Sequence, residues 1–110
     1  MKINIDKITI FNNNDYLEIY PKEHKVICED KTLTIEDETI KELIKTIRSW
    51  NHEYYDGSYL DGPMFEVKVY SEGRVDTFKG VRALPENYSY FSELIRSIHG
   101  WRDVWTSWAF

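Results

Sequence analysis

Residues 36–50, EDETIKELIKTIRSW, decide the fold. Ile40, Leu43, Ile44 and Ile47 recur at i, i+3, i+4 and i+7, the spacing that stacks side chains on one helical face. Glu36, Asp37 and Glu38 stand in the first turn, and Lys45 and Arg48 near the end. Each charge there complements the helix dipole, by roughly 0.3–1 kcal/mol. The spacing predicts an amphipathic helix over about residues 36–50.

Upstream of it the period changes from helical to alternating. In residues 2–11, Ile3 and Ile5 share one phase and Ile8 and Ile10 the other, so a strand with a bulge or bend at Asp6-Lys7 would bring all four to one face. A polar turn, Asn12 to Asp15, leads into residues 16–20, where Leu17 and Ile19 face one side and Tyr16, Glu18 and Tyr20 the other. Pro21 ends that strand, residues 25–29 return as its hairpin partner, and residues 31–35 form a further short strand.

Downstream, Phe65, Val67 and Val69 alternate with Glu66, Lys68 and Tyr70. Glu72-Gly73 then turns the chain into a second hairpin strand over residues 74–80. Pro85-Glu86-Asn87 signals a helix start, and Phe91, Leu94, Ile95 and Ile98 repeat the helical template before Gly100. Trp101, Val104, Trp105 and Trp108 show that spacing once more, which predicts a short C-terminal helix that docks on the core or meets another chain. Strands, helix, hairpin and helix in this order give the α+β class. The expected architecture is a two-layer sandwich, a mostly antiparallel sheet with two amphipathic helices on one face. The 110 residues suit one domain, 1–110.

Between the first helix and the second hairpin lies the departure from an ordinary small domain, residues 50–63, WNHEYYDGSYLDGP. Trp50, Tyr54, Tyr55 and Tyr59 stand among Glu53, Asp56 and Asp61 with no lysine or arginine. A connection of about a dozen residues in a small domain is more often functional than not. His52-Glu53-Tyr54-Tyr55-Asp56 has the outline of a zinc-protease helix, but Asp56 replaces the second histidine and Gly57 breaks the helix. The two Asp-Gly pairs lack the ligand pattern of a calcium loop and read as turns. No metal or cofactor is expected.

Other chemistry is equally thin. Cys28, the single cysteine, sits in an alternating strand and reads as a buried apolar residue, and no disulfide is possible within the chain. The histidines lie far apart, and no nucleophile elbow, phosphate loop or dinucleotide fingerprint occurs. A net charge of −5 without clustered lysine or arginine argues against a nucleic-acid partner. No apolar run resembles a signal peptide or membrane span, so the expectation is a cytoplasmic protein with no membrane contact.

On these grounds the chain reads as a small acidic protein-binding module rather than an enzyme. The profile is that of inhibitor and immunity-type proteins that neutralise basic toxins. Tyr54, Tyr55, Asp56, Tyr59 and Asp61, with Glu53, form the expected surface for a basic protein partner. The alternative is a small enzyme or ligand-binding protein with a pocket beside residues 50–63, using His52 and Glu53 as acid and base. A homodimer through Trp101, Trp105 and Trp108 is compatible with both.

Overall fold

A computed structural model describes residues 4–12, 15–28, 31–55, 64–81 and 83–98. They form an α+β fold of strands β1 (Lys7–Asn12), β2 (Asp15–Tyr20), β3 (Lys25–Cys28) and β4 (Lys31–Thr34), helix α1 (Asp37–Arg48), strands β5 (Glu53–Tyr55), β6 (Met64–Ser71) and β7 (Arg74–Val81), and helix α2 (Tyr88–Arg96). The strands make one sheet in the order β4-β3-β2-β1-β6-β7-β5. Every pairing is antiparallel except β5 on β7. Because β4 and β5 lie at opposite edges, α1 carries the chain from one side of the sheet to the other.

The period-2 pattern sets the register. Ile8 and Ile10 pair with Ile19 and Leu17 on one side and with Val69 and Val67 on the other. Leu17 and Ile19 continue the row to Cys28 and Val26. A slip of one residue would expose this whole set, so burial holds the pairing in place. These side chains share a core with Ile40, Leu43 and Ile47 of α1 and with Phe91 and Ile95 of α2. Cys28 is buried within it.

The phase change expected at Asp6-Lys7 is present. β1 begins only at Lys7, and Ile5 is buried along with Ile8 and Ile10 although it is out of phase with them. The Asp6 amide donates to the Tyr70 carbonyl at 2.8 Å and its carboxylate meets Lys22 at 2.8 Å, which ties the chain down just before β1. Ile3 lies outside the described residues. At the second hairpin, Glu72 and Gly73 both take left-handed φ angles, 50° and 81°, the conformation whose twist matches the flanking strands.

Two expectations need correction. The first helix ends at Arg48 rather than running to Trp50, because Ser49 and Trp50 turn back with amide bonds to Thr46 and Ile47. The connection after it is not loop throughout, because Glu53–Tyr55 is an edge strand parallel to Lys79–Val81. Residues 56–63 and 101–110, and with them Asp56, Tyr59, Asp61, Trp101, Trp105, Trp108 and the predicted C-terminal helix, lie outside the described residues.

Candidate functional site

Three residues of the expected surface fall on β5, and the strand separates them. Tyr54 pairs with Gly80 on the core side, packs on Phe65 at 6.3 Å, and its hydroxyl accepts the Asn51 amide at 2.9 Å. It is a partly buried support rather than a free anchor. Glu53 and Tyr55 point the other way, as strand alternation requires, beside Lys79 and Val81. Tyr55 is 71% exposed.

The same alternation takes apart the supposed acid–base pair. His52 stacks on the buried Phe78 ring at 4.7 Å. Glu53 reaches Lys79 at 3.8 Å on the opposite side. The two groups cannot converge on one substrate atom.

Trp50, expected where the first helix meets the 50–63 connection, is core. Its ring lies 5.0 Å from Phe91, 5.6 Å from Phe65 and 5.8 Å from Tyr88, and its indole N–H donates to Asn87 Oδ1 at 2.6 Å. Burial pushes the neighbouring Tyr88 phenol well above its ordinary pKa. Beside this cluster is a recess of about 390 Å³ lined by Ser49, Trp50, Asn51, Tyr54, Pro85, Glu86 and Asn87. It is a pocket beside residues 50–63, but neither His52 nor Glu53 lines it, and its one carboxylate is the exposed Glu86. No group of three or more His, Cys, Asp or Glu among the described residues is placed to hold a metal ion.

The larger feature is the outer phase of the strands, whose side chains do not join the core. Among the described residues the exposed large hydrophobic side chains Phe11, Tyr16, Tyr55, Met64 and Val75 all belong to it, while Leu84 and Tyr90 lie elsewhere. Phe11 pairs across with Tyr16 and with Glu66, Glu66 with Lys79, and Lys79 with Glu53, so one row runs from β2 to the β5 edge. A second row passes from Lys7 through Tyr70 to Val75. Tyr55 lies on a third row with Val81 and Met64, so the charged Glu66 and Lys79 stand between Phe11 and the β5 edge.

Its charges are matched with one another. Lys7 lies 3.7 Å from Glu18 and 4.8 Å from the Tyr70 ring centre. Lys68 meets Glu66 at 3.6 Å, and Lys25 sits 5.1 Å over Tyr20. The Tyr16 hydroxyl donates to Glu18 at 3.2 Å, and desolvation, helped by the Glu18 charge, pushes its pKa up to about 12. Each exposed pair is worth little in stability, about 0–1 kcal/mol. Their consequence is a face with few uncompensated charges to desolvate.

Sequence reasoning placed Tyr16 and Tyr20 correctly on the strand's second phase but did not treat that phase as a surface. The signal was present, since tyrosine and phenylalanine stand where a solvent-facing phase would ordinarily be polar. No family model matches the chain, and no curated protein or solved structure matches it. Among the described residues no helix is long and apolar enough to cross a membrane.

Proposed function

We propose that this chain is a small protein-binding module, of the inhibitor or immunity type, that docks a partner on the outer face of its sheet. The observation that carries the reading is the gathering of Phe11, Tyr16, Tyr55, Met64 and Val75 on one strand phase. Contiguous apolar surface rimmed by polar residues is the usual mark of a protein interface, and aromatic side chains supply most of the energy in such contacts. In this reading the two helices form a second layer over the opposite sheet face, leaving the aromatic face for the partner.

The partner is a basic protein with an apolar patch. The chain carries a net charge of −5, while the outer face itself is nearly balanced by its lysine–glutamate pairs. The acidic surplus therefore lies outside the docking face. It includes Glu36, Asp37 and Glu38 before and within α1, and in sequence Asp56 and Asp61 just beyond Tyr55. Those carboxylates guide encounter and orientation, and the aromatic face supplies the contact. The module acts in the cytoplasm and needs no cofactor.

Binding to the partner retained on an immobilised copy of this chain tests the reading. Tyr16→Ala, Phe11→Ala and Tyr55→Ala should each weaken binding, with the best anchor losing about 2 kcal/mol, roughly 30-fold in affinity. Tyr90→Ala, on α2, should leave it unchanged. Loss with Tyr90→Ala and none with the outer-face set would overturn the assignment. A small molecule retained by the protein in native mass spectrometry and lost on Tyr54→Ala would favour the recess instead.

A further inference from the structure

The outer edge of β7 is only partly covered, and its pattern is self-complementary. The Lys79 amide donates to the His52 carbonyl at 2.9 Å, so Lys79 directs its backbone groups toward β5. The register against β6 is unbroken from Arg74 to Val81. In an antiparallel strand both backbone groups of a residue point to the same side and alternate residues alternate sides. Val75 and Thr77 therefore also direct their N–H and C=O groups outward. β5 pairs only with Lys79–Val81, so no described strand meets Val75 or Thr77 on that side.

We infer that a second copy of this chain pairs here, β7 against β7 antiparallel across a twofold axis at Val75. In that register Val75 faces its own copy as a hydrogen-bonded pair, and Arg74 of each chain lies directly opposite Asp76 of the other. Opposite charges at facing positions stabilise a strand pair and like charges oppose it. Neither Arg74 nor Asp76 forms an ion pair with another described residue. Both line a groove of about 280 Å³ against Ile44, Ile47 and Arg48 of α1, on the core-facing side of the hairpin.

Neighbouring registers fail on stated grounds. An axis at Asp76 sets Asp76 against itself. An axis at Thr77 requires the Lys79 edge, which β5 already occupies. With the axis at Val75, Thr77 meets Gly73 of the other copy, where the tight turn at Glu72 and Gly73 ends the incoming strand before it reaches β5. The dimer shares Val75 with the partner-binding reading but leaves Phe11, Tyr16 and Tyr55 uncovered, and it does not use the C-terminal tryptophans.

Such an edge contact is small and therefore weak, so the test is sedimentation equilibrium over a concentration series reaching the millimolar range. The wild type should rise toward twice the monomer mass. Asp76→Arg and Arg74→Asp should each abolish the rise, and the double swap Arg74→Asp/Asp76→Arg should restore it. In the wild type, exchange of the Val75 and Thr77 amides should slow as concentration rises, a readout that needs no variant. A wild type that stays monomeric throughout overturns the inference. So does a dimer that persists in Asp76→Arg, or one that leaves the Val75 and Thr77 amides exchanging at the monomer rate.

Discussion

The indole N–H of Trp50 donates to Asn87 Oδ1 at 2.6 Å, and the Asn87 amide in turn donates to Ser49 Oγ at 3.1 Å. This pair joins the end of α1 to the residue that precedes α2. β5 begins three residues after Trp50.

Removing the indole should be costly. Trp50→Ala takes away a buried ring that touches Phe65, Phe78, Tyr88 and Phe91, and a loss of about 3–5 kcal/mol is expected. Trp50→Phe combined with Asn87→Ala in a double-mutant cycle should report a coupling of about 0.5–1.5 kcal/mol for the hydrogen bond alone. Urea denaturation measures both. A coupling of zero would mean that the contact does not tie the helices.

Gly80 should not tolerate a side chain. A Cβ there would collide with the Ala83 carbonyl and with the Phe65 ring, which lies against the glycine backbone. Gly80→Ala is expected to cost about 1–3 kcal/mol through overpacking. The same substitution should also weaken partner binding, because Gly80 is the β7 residue that pairs with Tyr54 in the middle of β5. Thermal unfolding and the binding assay on one variant check the two effects together.

Acid should loosen the segment that precedes β1. Asp6 is held below its ordinary value near 3.8, first by the hydrogen bond from Lys22, then by the Glu72 amide and the Lys22 charge. A carboxylate whose folded pKa is depressed contributes stability that is present above its unfolded value and lost as pH falls through the folded one. Wild type should therefore lose its advantage over Asp6→Asn as pH drops below about 4. Denaturation midpoints of the two proteins across pH 2–6 check the sign. A gap between them that widened on acidification would contradict the assignment.

How much of this was legible in the sequence follows from which interactions are local. The helix of Ile40, Leu43 and Ile47 and the alternation of Leu17 with Ile19 follow from periodicity over a few turns or pleats, and the fold keeps both. The burial of Trp50 was not foreseen because its partners come from β6, β7 and α2, far away in the chain, and no local pattern announces that convergence. β5 was missed because three residues are too few to show a period, and its existence depends on the free edge of β7. Of the expected surface, Glu53 and Tyr55 keep their outward position and Tyr54 turns inward. The alternation rule would have made that separation had residues 53–55 been read as a strand.

The central claim is that the partner covers the outer face of the sheet. The most direct measurement is a chemical-shift footprint of the isotope-labelled chain, titrated with the partner retained by affinity capture. The account predicts perturbation of Phe11, Tyr16, Tyr55, Met64 and Val75, with little change at Lys41, Lys45 and Tyr90 on the helices. A footprint confined to the helix residues, with the outer-face signals unmoved, would contradict it.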